Sequence, residues 1–203
     1  FDIEKIDLIA LLWQTGYLTF AKKINRRDKI LYQLKVPNRE IQSSLNELFI
    51  QFLTSHRVEV ISHQDNIYDA MTTDISTLKF TLQSLFASIP YNNYVNNELA
   101  KYEGYYASVV FTYLMSLGFP CIAEDVTHKG RIDLTLKLPK RIVIIEFKVD
   151  QQEAALAQIK RKKYHEKYLS EAQTQQQEIY LVGICFNSKD KNISEFDWER
   201  VDY

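Results

Sequence analysis

A mixed α/β domain with a small central sheet flanked by helices, preceded by a mainly helical region with a β-hairpin, is what the apolar spacing of this chain predicts. Apolar residues in the first half recur at helical intervals. From Ile132 onward they alternate at every second position, as strands do. The second half reads as helix, three strands, helix, strand, which gives one mixed sheet. The boundary falls near Pro90 to Tyr94, so the 203 residues divide into regions 1–92 and 93–203.

The elements follow in order. Ile3, Ile6, Leu8, Ile9, Leu11 and Leu12 have helical spacing, and Gly16 is the terminator. Leu18, Phe20 and Ile24 form one face of an alternating stretch. Ile30, Tyr32, Leu34 and Val36 form one face of the next, and the polar loop from Asn25 through Arg27 and Asp28 to Lys29 joins them as a hairpin. Pro37-Asn38 opens a helix with Ile41, Leu45, Leu48, Phe49 and Phe52 on one side. A polar break from Ser62 to Asn66 precedes a single helix striped by Ile67, Met71, Ile75, Leu78, Leu82, Leu85 and Ile89, and Pro90 ends it. In the second region Asn96 to Leu117 reads as a long helix closed by Gly118. Phe119 to Asp125 is a strand. Ile132, Leu134, Leu136 and Leu138 alternate strictly, and Pro139-Lys140 turns into a β-branched strand from Arg141 to Val149. Ala154 to Leu169 is helical and basic, Ile179 to Phe186 is a strand, and a short strand follows near Ile193.

Composition narrows the chemistry. Hydrophobic residues at 46% and charged residues at 25% suit a globular protein, and a net charge of -1 leaves only local charge to argue for an anionic partner. The five glycines are too scattered for a phosphate-wrapping loop, which excludes P-loop and Rossmann sites. The longest apolar run, Ile142 to Ile145, is too short for a bilayer, so no membrane partner is expected. Cys121 and Cys185 sit in apolar runs, as reduced thiols of a cytoplasmic protein do. They form no CxxC, and the four histidines lack metal-ligand spacing, which argues against zinc. The chain opens on Phe1 with neither Met nor a leader, and reads as a piece of something longer.

Alternation in the strand 141–149 puts Ile142, Ile144, Glu146 and Lys148 on one face and Val143, Ile145, Phe147 and Val149 on the other. A hairpin with the preceding strand brings Asp133 toward Glu146 and Lys148. Two carboxylates at a sheet edge beside an ammonium suit a hard divalent cation. Mg²⁺ takes oxygen ligands and keeps several waters, so one or two carboxylates suffice. The lysine assists an attacking water or offsets charge developing on a phosphate. Glu-x-Lys alone is a common pair on a half-exposed strand; its context, with Asp133 across a turn, sets this one apart. Glu103 falls between Leu99 and Tyr106 on the inward stripe of the helix from Asn96. A carboxylate there either meets a cation or donors, or reaches water at the edge of the stripe.

Glu103 in YEGYYASVV, Asp133 in GRIDL, and Glu146 with Lys148 in IEFK resemble the PD-(D/E)xK nuclease superfamily. More narrowly, the second region resembles the nuclease-like domain that follows an AAA-ATPase-like domain in many uncharacterised bacterial proteins. LLWQTGYLTF and LKVPNREI resemble the tail of that ATPase-like region, whose ATP-binding part would precede Phe1. Ile132 stands where the superfamily name has Pro. The resemblance implies a restriction-endonuclease-like fold, with Mg²⁺ or Mn²⁺ held by Asp133, Glu146 and the carbonyl of Phe147. It also implies catalytic roles for Glu103, Asp133, Glu146 and Lys148, and places Gln158 and Tyr164 near the cleft.

The helix after that strand carries Lys160, Arg161, Lys162, Lys163 and Lys167 against Glu166 alone. Such a run is often a solvated face; directly after the candidate site it is placed to bind backbone phosphate. Lys22, Lys23, Arg26, Arg27 and Lys29 make a second basic spot in a helix–hairpin–helix order like that of a wing on DNA. The expected function is metal-dependent phosphodiester hydrolysis of nucleic acid, DNA foremost. The alternatives are a catalytically silent nuclease-fold module that binds nucleic acid or a protein, and a regulatory module tied to the ATPase-like region.

Overall fold

The structure is a computed structural model and describes residues 7–26, 29–54, 60–95 and 97–203. Ile3, Ile6, Arg27, Asp28 and Asn96 of the sequence reading lie outside these residues. The chain divides into two compact units, residues 1–48 and 49–203.

In the first unit, α1 (Leu8–Gln14) is capped by Asp7, whose carboxylate accepts from the Ala10 N–H at 2.9 Å. β1 (Thr19–Arg26) and β2 (Lys29–Lys35) form an antiparallel hairpin. Its register shifts between Phe20 and Lys22, so an extra residue interrupts the alternation. Phe20 therefore pairs with Leu34 on one face while Ile24 pairs with Leu31 on the other, and the single Leu18-Phe20-Ile24 face expected from the sequence does not form. Trp13 of α1 lies against Phe20, and Phe20 against Tyr32, at ring separations of 5.3 and 5.0 Å. The Asn38 side chain accepts from the Ile41 N–H and opens α2 (Arg39–Thr54), as expected from Pro37-Asn38.

In the second unit, α3 (Val60–Thr72) contains the polar stretch Ser62–Asn66, which is helical rather than a break. The single stripe expected up to Ile89 is divided, because Asp74 accepts from the Ser76 N–H and starts a 3₁₀ turn before α4 (Leu78–Ser88). A further 3₁₀ turn at Leu99–Lys101 stands apart from α5 (Glu103–Ser116), so the expected long helix begins only at Glu103. The five-stranded sheet has the order β3 (Cys121–Thr127), β4 (Gly130–Leu138), β5 (Arg141–Val149), β6 (Glu178–Asn187) and β7 (Asn192–Val201). All neighbours are antiparallel except β5 and β6, which are parallel. A parallel pair needs a crossover. Here it is α6 (Ala155–Lys162), a 3₁₀ turn at Tyr164–Tyr168, and α7 (Leu169–Gln175). The one basic helix expected there is broken at Lys163, whose φ of 51° is left-handed. β7 is a full ten-residue strand rather than a short one.

The sheet buries both faces. Val143, Ile145, Phe147 and Val149 pack with Leu134, Leu136, Leu138 and residues of α3, α4 and α5 in one core. Ile142 and Ile144 pack with Ile132, Ile159, Tyr164 and Tyr168 in the other. Packing thus joins α3 and α4 to the sheet, although the sequence groups them with the hairpin.

Gly183 on β6 pairs with Glu146 on β5. A Cβ on Gly183 would lie 2.2 Å from the backbone nitrogen of Leu156, so the start of α6 rests directly on the sheet beside Glu146. Gly183→Ala must push that backbone away. It is expected to cost about 1–3 kcal/mol, as overpacked cores do, and to lower the melting temperature by several degrees in a thermal scan.

Candidate active site

The ladder between β4 and β5 ends at Leu134 opposite Ile145. The next positions in that register are Asp133 and Glu146, and there the pairing stops. The Phe147 N–H, which faces the gap, donates instead to Oδ2 of Asp133 at 2.8 Å. The strict alternation expected along β4 also fails here. Ile132 packs in the second core while Leu134, Leu136 and Leu138 pack in the first. Asp133 sits at this switch of faces, and the neighbouring strand breaks with it: Glu124 on β3 has a φ of 52°. The irregularity turns Asp133 into a cleft of about 300 Å³ that Glu103, Phe147, Glu124 and Arg131 also line.

Glu146 shares its face with Ile142 and Ile144, as alternation requires, and is 1% exposed. Gln158 of α6 donates to its Oε1, and Lys148 Nζ lies 3.5 Å from the same oxygen. Its Oε2 is buried with no hydrogen-bond partner. Burial, and then the charge of Asp133, push its pKa up to about 7 against the pull of Lys148. Asp133 is raised too, by burial first, although the Phe147 N–H and Lys148 oppose the shift.

Lys148 Nζ donates to the Phe147 carbonyl at 3.0 Å and lies 3.6 Å from Oε2 of Glu103. Glu103 is not on the inward stripe with Leu99, because Leu99 belongs to the separate turn. It is the first residue of α5, partly exposed, at the positive end of the helix. Burial raises its pKa and Lys148 opposes the rise. Glu103, Asp133, Glu146 and Lys148 thus converge, and Gln158 joins through Glu146. Among the described residues no three His, Cys, Asp or Glu side chains are gathered tightly enough to hold an ion by themselves.

The expected phosphate-binding group is arranged differently. Acids from elsewhere in the chain meet the cations of the crossover. Lys160 pairs with Glu199 of β7 at 2.6 Å, and Arg161 grips Glu153 through two hydrogen bonds of 3.0 and 3.1 Å. Lys163 lies 3.9 Å from Glu166. Lys167 turns inward to Asp125, a buried carboxylate that also accepts from Thr135 at 2.9 Å and from Tyr168. Tyr164 is buried and donates to the Arg131 carbonyl at 3.1 Å, so it braces the start of β4 while lying close enough to Gln158 and Glu146 to interact with both. Sequence reasoning missed Arg131 and Glu124, an ion pair of 3.3 Å on the cleft wall. Their flanking of Asp133 on paired strands was the available signal. It also missed Asp125, whose partners Lys167 and Tyr168 lie more than forty residues away and leave no local signal.

Two measurements test these assignments. The folded-state pKa of Glu146 lies above its ordinary value of 4.5, so the unfolded chain ionises first. Its contribution is then neutral below about pH 4.5, turns unfavourable as pH rises to about 7, and levels off at a cost of about 3 kcal/mol. In chelator, urea unfolding should find Glu146→Gln more stable than wild type at pH 8 and equal to it near pH 4.5. Lys167→Ala strands the buried Asp125 charge and should lose about 2–3 kcal/mol in the same assay, whereas Lys160→Ala, at an exposed pair, should lose less than about 1 kcal/mol.

Residues 101–196, which run from the end of the Leu99–Lys101 turn into β7, match the family model of the PD-(D/E)XK nuclease superfamily. The chain is also 34% identical over 200 residues to the "Uncharacterized protein in vnfD 5'region" of Azotobacter chroococcum mcd 1. That alignment takes in 97% of this chain and 38% of the relative, so the chain spans well under half of the relative's length. No solved structure matches the chain. The five-stranded mixed sheet flanked by helices is consistent with a restriction-endonuclease-like architecture, and residues 101–196 are similar to the PD-(D/E)XK nuclease superfamily.

Proposed function

We propose that this domain hydrolyses phosphodiester bonds of nucleic acid, DNA foremost, with Mg²⁺ or Mn²⁺ at Asp133, Glu146 and the Phe147 carbonyl. The observation that carries the reading is the buried, partnerless Oε2 of Glu146 beside a second carboxylate of raised pKa. Buried charges need a counter-charge, and this pair has too little of it. The donors are all oxygens, which suits a hard divalent cation and not a thiolate-seeking metal. The residues therefore fit such an ion. A divalent cation held there supplies Lewis-acid stabilisation of phosphoryl oxygens.

The side chains have separable tasks. Gln158 fixes Oε1 of Glu146 and leaves Oε2 free to act as a ligand. The Phe147 N–H holds Asp133 by one oxygen and leaves the other toward the cleft. Lys148, mostly buried, keeps an ammonium where charge grows on the phosphate, and such preorganised charge is worth most in the transition state. Glu103 orients that ammonium from the first turn of α5. Lys160, Arg161 and Lys163 are exposed and can trade an acid partner for backbone phosphate.

The silent binding module also has an observation in its favour. Lys148 already hydrogen-bonds the Phe147 carbonyl and lies near two acids, so the cluster carries an internal cation. An AAA-ATPase-like region ahead of residue 1 belongs to the same proposal, on the resemblance of LLWQTGYLTF and LKVPNREI. So does a cytoplasmic location; no helix among the described residues is long and apolar enough to cross a membrane.

Plasmid cleavage decides between the readings. Wild type should cut with Mg²⁺ or Mn²⁺ and not in chelator. Lys148→Ala should lose at least about 100-fold in rate while DNA affinity in chelator stays within about threefold. Asp133→Ala should also lose the rise in melting temperature that Mn²⁺ gives the wild type. Equal cutting by wild type and Lys148→Ala, or none by a folded wild type, sinks the nuclease reading.

A further inference from the structure

We propose that the β1–β2 hairpin of the first unit is a docking surface for the phosphate backbone of duplex DNA, held by Lys22, Arg26, Lys29 and Lys35. The proposal rests on the reading of the chain as one that acts on nucleic acid, and adds where the polymer is held.

The register sorts the hairpin side chains. Cross-strand partners share a face. Phe20–Leu34, Lys23–Tyr32 and Asn25–Ile30 therefore share one face, and Thr19–Lys35, Lys22–Gln33, Ile24–Leu31 and Arg26–Lys29 the other. The first face is occupied from within the unit, since Trp13 of α1 packs on Phe20 and Phe20 on Tyr32. The second face carries four cations and no acid. Lys22, Arg26, Lys29, Leu31, Gln33 and Lys35 on it are all exposed. The bulge at Ala21 produces this arrangement. Without it Phe20 would fall on the same face as Lys22, Ile24 and Arg26, and put an aromatic ring among the cations.

These cations differ from those of the catalytic unit. Every ion pair among the described residues lies at or beyond Glu98. Lys160, Arg161, Lys163 and Lys167 each have an acid partner, whereas the four hairpin cations have none among the described residues. An unpaired cation binds phosphate without first giving up a carboxylate, and each one that does so releases a counterion. Charge complementarity thus selects a polyanion. The shape selects a duplex, because a two-stranded β-ribbon fits the major groove, about 12 Å wide. A membrane surface is less suited, since only Ile24 and Leu31 supply apolar surface between the cations.

The test uses the whole chain in chelator, with a mixed-sequence DNA duplex followed by fluorescence anisotropy. The Lys22→Gln/Arg26→Gln/Lys29→Gln/Lys35→Gln variant should lose at least about tenfold in affinity near 0.1 M salt, and its salt slope should fall by about 3–4. Lys22→Arg/Lys29→Arg/Lys35→Arg keeps the charge and should bind as wild type does, which separates charge from folding. Lys160→Gln/Arg161→Gln should lose less than the hairpin variant. Affinity of the quadruple variant within about twofold of wild type at an unchanged salt slope overturns the inference. So does a wild type that binds no duplex, or one whose hairpin charges govern binding to phosphatidylserine vesicles but not to DNA. A wild type that binds through the hairpin yet leaves plasmid uncut with Mg²⁺ and Mn²⁺ refutes the nuclease reading and leaves this inference standing. Cleavage with hairpin-independent binding does the reverse.

Discussion

The separation of β4 from β5 beyond Leu134 and Ile145 is the constraint on which the cleft depends. A strand that loses its neighbour leaves backbone groups unpaired, and buried ones must find other partners. At Phe147 both groups facing the gap find them in site residues. Its N–H goes to Asp133 and its carbonyl accepts from Lys148. The Phe147 ring is fully buried in the first core, tilted against Phe186 at 6.4 Å, so this peptide is held in place. The carboxylate and the ammonium are therefore positioned by backbone accounting as much as by their own packing.

The opposite side of the site is fixed by contact distance. Gly183 has no Cβ, so the start of α6 sits against β6 and lies over the position beside Glu146. That closeness buries Glu146 and brings Gln158 within reach of Oε1. It also removes the water that would otherwise solvate Oε2. The raised pKa values of Glu146 and Asp133 follow from this geometry, because desolvation is the leading cause in each. One glycine on a neighbouring strand thus sets the electrostatics of a glutamate that it pairs with across the sheet.

Much of this was legible in the chain because it is local. The β-branched run marked β5 as Arg141–Val149, the bounds the structure has. Period-two alternation put Ile142 and Ile144 on one face and Val143, Ile145, Phe147 and Val149 on the other, which the two cores confirm. What escaped depends on residues far apart or on single backbone angles. The left-handed turn at Lys163 divides a helix whose composition reads as continuous. Asp74 stops a stripe that is apolar on both sides of it. The switch of faces at Asp133 cannot be read from alternation, since alternation is what it breaks. Charge was misread for a similar reason. The basic crossover helix looks unopposed in sequence, yet Glu199 on β7 and Glu153 ahead of α6 answer it.

A run of cations is therefore not a positive field, and the sign of the cleft shows the consequence. Glu103, Glu124 and Asp133 line it against Arg131, which is already paired with Glu124, while Lys148 beside it is shared between Glu103 and the buried Glu146. An incoming phosphate meets like charge there, and like charges set close cost several kcal/mol in a desolvated site, on the order of what a strong pair gains. Burial holds the Glu103, Asp133 and Glu146 carboxyls above their ordinary range, and the charge of Lys148 does not offset it. On the proposed reading, a divalent cation would answer both deficits at once: it would let the buried carboxyls ionise and would reverse the sign met by a phosphate. Cation binding there would release protons and strengthen with pH up to about the pKa of Glu146. A polyanion and the cation should also favour each other's binding, because each relieves the repulsion the other meets. The fold buries acids beside too few cations, and on the proposed reading a counter-charge would complete the site.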